Sequence, residues 1–520
     1  GFRLHAFPAP LENDECNYAY FAQRLLAGDR LYVDLWDHQP PGIFALLVLP
    51  TAVFGSSLVV YRTLALMLVL LTMVGVFDLA RRWFGRTAAW TAALLFAVAS
   101  SDPGVAGEGC NREIYMNLLL VAAVWTLARR PTANLRSLLA AGLLIGLAST
   151  IKTVVALHWL ALLPVVVLLA ARGKSGQERC GTGILPVETQ AGSLCHRFCH
   201  GLLAGADTIE KRRPTLVCVA AFAAGPAAIW LATLAYFAAT GRAQGFCDAA
   251  FAYNLVYSET DQGWGRRLIA FFFKGDNLRV KVFGTALALW LSGTFGLSAF
   301  PWRRDRIRSA LMAGWVLGSY LAVCLPGRFW PHYYLLMLPP LVLLAAALVY
   351  RIEIYHRRLS RGAAAVILLA LLATQIPGYL LVEPDRIGWD RYGPRMSWAR
   401  DLGRRVAAVT DPADTIYVWS YDVGVYTYSG RRCASRFTMN GPLLPDHPST
   451  AARRRCLLDD LVRNQPRLII IPHGKEPPFA ELQRFLVEHR YITVGQTSQM
   501  EVLCDLNRPI PPIDWTEEPK

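Results

Sequence analysis

The feature that most limits what this chain can fold into is a succession of apolar runs. Runs long enough to cross a hydrocarbon core about 30 Å thick fall near residues 58–80, 215–240, 281–300, 333–350 and 362–381. Shorter or weaker ones lie near 87–101, 114–128, 137–151, 153–171 and 308–325. Residues of the apolar set make up 54% of the chain and charged residues only 18%, against about 25% in a typical soluble protein. This pattern predicts an integral, mainly α-helical, polytopic membrane protein, and excludes a disordered, fibrous or disulfide-scaffold protein. The eleven cysteines are scattered without paired metal spacing.

The surplus of 53 basic over 38 acidic residues, a net charge of +15, comes in short clusters between the apolar runs. Arg81, Arg82 and Arg86 form one basic link, and Arg129, Arg130 and Arg136 a second. Arg172 to Arg213, Arg303 to Arg308 and Arg351 to Arg361 supply three more. Positive charge so placed marks cytoplasmic loops. No basic stripe interleaved with stacking aromatics points to nucleic acid. With all five links in the cytoplasm, ten helices weave consistently, and 1–40, 102–113, 241–280, 326–332 and 383–520 lie outside. Residues 41–56 are apolar but short and read as a re-entrant or interfacial piece. The chain starts at Gly1 inside an external loop, so a preceding helix is expected to be missing from this sequence.

Two domains are predicted: a membrane part over 1–382 and a soluble extracytoplasmic α/β domain over 383–520. The second rests on strand-like runs at 415–419, 468–471 and 491–494, alternating with helical patterns near 395–409, 450–463 and 478–489. The cytoplasmic stretch 173–213 holds Cys180, Cys195, His196, Cys199 and His200, but the Cys195–Cys199 spacing fits no common zinc or haem motif. It reads as a loosely ordered insertion.

Four external places hold residues suited to chemistry. The first is Asp14-Glu15-Cys16-Asn17-Tyr18, followed by Asp37-His38-Gln39-Pro40-Pro41-Gly42. Adjacent carboxylates beside a membrane can take a proton or hold a cation, or can belong to a solvated loop capped by Asn13 or Asp14. The second is Glu108 to Asn117, where Glu113 opens an apolar helix and Asn117 shares its face. Cys16 and Cys110 flank the two acid motifs, close enough in pattern for a bridge outside the cytoplasm to be considered. The third is Lys152, alone in an apolar hairpin, where a lysine snorkels to headgroups or pairs with an anion. The fourth is Arg328-Phe329-Trp330-Pro331-His332-Tyr333, read either as a phosphate-binding cluster or as an interfacial aromatic belt. The aromatics of 241–280 suggest a helix along the interface.

The string Asp14-Glu15-x-x-Tyr18, the Gly28-Asp29 turn, a tyrosine and Pro40-Pro41-Gly42 together resemble the first external loop of family 39-like glycosyltransferases. Protein O-mannosyltransferases and lipid A aminoarabinose transferases are members. Gly146-Leu147-Ala148-x-x-x-Lys152 and Arg328-Phe329-x-x-His332-Tyr333 are similar to later motifs of that family. The resemblance implies the glycosyltransferase C fold. It also implies a polyprenyl-phosphate sugar donor, an extracytoplasmic acceptor (lipid, glycan or protein), and transfer with inversion at a bacterial inner membrane. By that resemblance Asp14, Glu15 and Glu113 are the catalytic acids, and Lys152, Arg328, His332 and His38 bind the donor phosphate. Tyr18, Asn117 and Tyr333 line the acceptor pocket. Relatives often carry lysine just before the two prolines; here Gln39 stands there, with His38 beside it to supply positive charge if protonated. No cofactor is required by this logic, although a divalent cation fits between Asp14 and Glu113. The runner-up reading is a lipid-linked sugar transporter, which calls for intramembrane charge pairs along a polar path; few are found.

Overall fold

The computed structural model describes residues 2–130, 132–175, 214–258, 263–273, 283–444, 448–473 and 479–515. The insertion expected at 173–213, with its cysteines and histidines, lies almost wholly outside them. Each of the ten apolar runs forms a helix. Among the described residues six helices are long and apolar enough to cross a membrane: Leu58–Phe84, Thr153–Arg172, Thr215–Ala239, Arg306–Cys324, Pro331–Tyr355 and Arg357–Leu380. Of the other four, three arise from runs read as shorter or weaker, and Leu287–Ala299 is shorter than the run at 281–300. Arg86–Ala99 has 14 residues, Arg112–Ala128 and Leu135–Ile151 have 17 each, and Leu287–Ala299 has 13. At 1.5 Å per residue they measure about 20–25 Å. Gly42–Phe54, the run set aside as re-entrant, is also a 13-residue helix.

Burial grades outward from one helix. In Pro331–Tyr355, 78% of the apolar window is buried, against 17% in Thr215–Ala239 and in Arg357–Leu380. The outer helices turn Leu216, Leu231, Val366 and Leu369 to the surroundings, an arrangement that suits lipid and would be costly in water. Van der Waals contact binds helices together in such an environment. Leu135–Ile151 and Thr215–Ala239 meet through Gly142 and Gly225, and a Cβ on Gly142 would strike the Phe222 carbonyl oxygen.

Three of the basic links meet at one end of the bundle. At that end Trp125 Nε1 donates to Asp78 (2.8 Å), Thr87 Oγ1 donates to Glu353 (2.8 Å), and Arg308 Nη1 donates to the Trp83 carbonyl (3.5 Å). At the opposite end the first loop, the 102–113 loop, the 326–332 turn and the tail converge.

The tail carries a five-stranded sheet in the order β2-β1-β3-β5-β4. The strands are β1 Thr415–Val418, β2 Arg432–Cys433, β3 Leu468–Pro472, β4 Tyr491–Gln496 and β5 Met500–Asp505. β1 runs parallel to β2 and β3, and β3 and β4 pair antiparallel with β5. Helices Arg395–Val409, Pro448–Asn464 and Ala480–Glu488 accompany it. Strands β2 and β5 escape a sequence reading because one is two residues long and the other ends in acids at both Glu501 and Asp505.

Candidate active site

The first-loop helix Asn13–Leu26 lies between the membrane bundle and the tail. Its N-cap is Glu12 rather than Asn13 or Asp14, which leaves Asp14 free for other partners. On one side Tyr428 accepts from the Leu11 amide (2.8 Å) and Thr427 Oγ1 donates to the Cys16 carbonyl (3.0 Å). Further along, the Cys433 amide donates to the Tyr20 hydroxyl (2.8 Å), and Thr438 Oγ1 donates to Asn17 Oδ1 (2.8 Å). The tail therefore grips the helix along its length.

Asp14 points from this helix into a cavity of about 770 Å³ and is 19% exposed there. Arg112 Nη2 lies 3.2 Å from its Oδ2, and the hydroxyls of Tyr18 and Tyr421 each donate to it at 3.3 Å. Burial works to raise the Asp14 carboxyl, but Arg112, followed by His332, His38 and Lys152, holds it below the ordinary carboxylate range. His38, Arg112, Arg328, His332 and Tyr333 share the cavity wall with it. The tail closes the other side with Arg395, Tyr421 and Met439. Arg328 is exposed, donates to the Tyr257 carbonyl (2.8 Å) and lies 4.6 Å over the Tyr257 ring.

Behind this wall the charges continue. Glu113, next to Arg112 in the chain, takes Lys152 Nζ at 3.1 Å, and the same ammonium sits 3.2 Å from the Tyr333 ring centroid. The site is thus a row of alternating sign: Asp14, Arg112, Glu113, Lys152. Several buried polar atoms around it have no hydrogen-bond partner among the described residues, namely Arg112 Nη1, Glu113 Oε2 and both ring nitrogens of His332. Buried donors are rarely left so, and an anionic group seated beside Arg112 and His332 satisfies them.

The other expected site residues fall elsewhere. Glu15 turns away from Asp14: its Oε2 accepts the Glu12 amide (2.9 Å), its Oε1 takes the Cys110 amide, and Arg62 Nη1 lies 3.4 Å away. It fastens the first loop to the 102–113 loop. Glu15→Ala is expected to destabilise the protein by about 3–5 kcal/mol, since Arg62 stays buried without its partner. Thermal denaturation measures this, and donor KM of the folded fraction changes little. Glu113 and Lys152 form no part of the cavity wall; each is spent on the other. Tyr18 is buried and positions Asp14. Asn117 donates to the Leu335 carbonyl (2.8 Å) inside the bundle and does not reach the cavity. His38 does line it, but burial first and Arg112 second lower its pKa to about 3, so it is a neutral ring and not the cation expected in place of a lysine. Cys16 and Cys110 are both free thiols, and the Cys110 thiol contacts the Tyr115 hydroxyl instead (2.9 Å).

Arg112 is the residue that sequence reasoning left without a role. The signal was an arginine in the first turn of a helix, where a cation opposes the macrodipole, with a carboxylate beside it. Its loop is pinned by buried Asp102, which accepts from the Gly104 amide (2.8 Å) and Thr285 Oγ1 (2.7 Å). Burial raises the Asp102 carboxyl to about 7. A raised acid stabilises the fold fully below its unfolded value near 3.8 and loses that contribution as pH climbs through about 7. The melting temperature is expected to fall between pH 5 and pH 8 (roughly the span of the shift), and Asp102→Asn should flatten that fall. Among the described residues no group of three His, Cys, Asp or Glu side chains could hold a metal ion.

A bundle of membrane-length apolar helices with a charged cavity beneath a small α/β tail is the architecture of an integral membrane protein. Residues 38–179 match the family model described as dolichyl-phosphate-mannose-protein mannosyltransferase. By structure the chain is similar to ArnT from Cupriavidus metallidurans bound to undecaprenyl phosphate, with a TM-score of 0.61 and 14% identity over 96% of this chain and 94% of that one. Against the apo state of that protein the TM-score is 0.59 and the identity 15%, with the same coverage. At such identities the likeness speaks for the fold. No curated protein matches the sequence significantly. The chain thus shares the fold of these structures, and its match to the family model is confined to residues 38–179.

Proposed function

We infer that the protein moves a sugar from a polyprenyl-phosphate donor to an extracytoplasmic acceptor with inversion, at a bacterial inner membrane. The observation that carries this reading is the pairing of one ionised carboxylate, Asp14, with cationic or donor groups of Arg112, Arg328 and His332 in a single cavity at the membrane end of the bundle. The family model's dolichyl-phosphate-mannose and the undecaprenyl phosphate bound to ArnT support a lipid-phosphate donor.

In this mechanism the acceptor hydroxyl attacks the anomeric carbon from the face opposite the phosphate, and the bond from that carbon to the phosphate oxygen breaks. Asp14 orients the hydroxyl and takes its proton as the new bond forms. Arg328, His332 and Arg112 meet the negative charge that grows on the leaving polyprenyl phosphate, where preorganised donors help most. Lys152, its ammonium over the Tyr333 ring, holds Glu113, which fixes the start of helix Arg112–Ala128 and so the aim of Arg112. Asp14 and Glu113 each already face a resident cation, Arg112 and Lys152, which supplies the positive charge a divalent ion would bring.

The test is transfer of radiolabel from a set of polyprenyl-phosphate sugars in membranes, comparing wild type with Asp14→Asn. Transfer that depends on Asp14 supports the enzyme and names the sugar. Saturable donor binding, or movement across the bilayer, with no transfer would favour the transporter. Arg328→Ala is expected to raise donor KM by about tenfold or more with a smaller change in kcat; an unchanged donor dependence removes Arg328 from the phosphate site.

A further inference from the structure

At the basic end of the bundle, far from the cavity just described, an apolar groove of about 530 Å³ runs between helices Arg86–Ala99 and Arg357–Leu380. Thr87, Trp90, Thr91 and Leu94 recur at helical spacing along one wall, and Ala364, Ala365 and Leu368 along the other. Trp90 is 52% exposed and Leu94 45%, so the groove opens to the outside of the bundle at a level where its surroundings are lipid. The alanines leave the width that a chain of methylenes occupies.

Three arginines close the end of this groove. Arg86 and Arg357 are the first residues of their helices, and Arg361 lies one turn further on. All three are exposed, and among the described residues no carboxylate pairs with any of them. The neighbouring acid, Glu353, is engaged by the Thr87 hydroxyl (2.8 Å). Two helix N-termini meet here as well, adding their positive dipole ends. The built features are therefore a concentrated cationic head end and an apolar trough leading away from it along the bundle.

We propose that this groove binds one anionic phospholipid from the leaflet at the basic end of the protein, its phosphodiester among Arg86, Arg357 and Arg361 and an acyl chain along Trp90, Leu94 and Leu368. Charge complementarity selects the occupant. A zwitterionic lipid would bring an ammonium group into a place whose only nearby carboxylate is already hydrogen-bonded, whereas a glycerol headgroup adds no positive charge. A free phosphate would satisfy the arginines but leave the trough unused. The proposal is independent of the transfer reaction, since it concerns the opposite end of the bundle.

The test uses the full chain purified in detergent, titrated with phosphatidylglycerol, phosphatidylcholine or inorganic phosphate, with melting temperature and native mass spectrometry as readouts. Phosphatidylglycerol is expected to raise the melting temperature and to remain bound at one copy per chain, while the other two do neither. Arg86→Gln combined with Arg361→Gln should weaken phosphatidylglycerol binding by about tenfold or more. Equal stabilisation by both lipids would overturn the proposal, as would inorganic phosphate matching phosphatidylglycerol, or undiminished retention in the double variant. The wild-type titration decides the first two outcomes even if the variant fails to fold.

Discussion

Asp14→Asn is expected to lower transfer by about 10²- to 10⁴-fold, the range typical for removal of a general base, with donor binding close to wild type and some loss of thermal stability, because Arg112 stays buried without its facing charge. The substitution keeps the shape: one of the Tyr18 and Tyr421 hydroxyls can still donate to the remaining oxygen, and the other can accept from the new amide. What it removes is the negative charge facing Arg112. The companion result concerns pH. With Arg112 in place, the acid limb of the rate profile should lie below the ordinary carboxylate range, because the folded Asp14 is depressed. Arg112→Gln withdraws the main depressing charge, so burial wins and the limb moves up. A rate profile from pH 4 to 8 (a range spanning ordinary carboxylate values) measures both. An Asp14→Asn protein with near-normal turnover would remove Asp14 from the chemistry, and a limb unmoved by Arg112→Gln would detach Arg112 from Asp14.

The second large effect is structural. Glu113 is fully buried and Lys152 nearly so, at 0% and 9% side-chain exposure. Glu113→Gln leaves an ammonium buried against a neutral amide, and about 3–5 kcal/mol of stability should go with it. Lys152→Met, which strands Glu113, should cost a similar amount. Together the two changes remove both charges, so the double variant is expected to recover most of the loss, as buried pairs replaced by neutral groups commonly do. Its transfer rate should stay low, because Tyr333 loses the ammonium beneath its ring and the start of helix Arg112–Ala128 loses its anchor. Thermal denaturation of the two single variants and the double variant gives the coupling directly. Single variants as stable as wild type would mean that the pair is not closed in the native protein.

The helices and the tail were largely legible because their signals are local. Ten apolar runs became helices, and the strands at 415–418, 468–472 and 491–496 and their companion helices fell close to where alternation placed them. The shorter runs near 87–101, 114–128 and 137–151 became shorter helices, whereas 281–300 read longer than helix Leu287–Ala299, since hydropathy registers the middle of a helix better than where its capping turns begin. The site was half legible. Asp14, Arg328, His332 and Tyr333 reach one cavity as their motifs suggested, although they are more than 300 residues apart in the chain. Glu15 and Glu113 carry the same charge as Asp14, but their roles depend on which cation faces them: Arg62 for one, Lys152 for the other. No local pattern records such a pairing across 47 or 39 positions. Tyr421 was invisible for the same reason, because it meets Asp14 from 407 residues away.

That last contact has a consequence in time. During synthesis, residues 1 to about 380 can enter the bilayer and assemble their bundle well before Tyr421, Thr427, Cys433 and Thr438 exist to clasp the first-loop helix. Until they do, Asp14 faces an unroofed cleft open to water. A donor of the kind proposed above, arriving then, would meet the cations of Arg112 and Arg328 without the wall that Arg395, Tyr421 and Met439 supply. By making a later-synthesised segment the roof of the cavity, the chain withholds the finished cavity until that segment has been made.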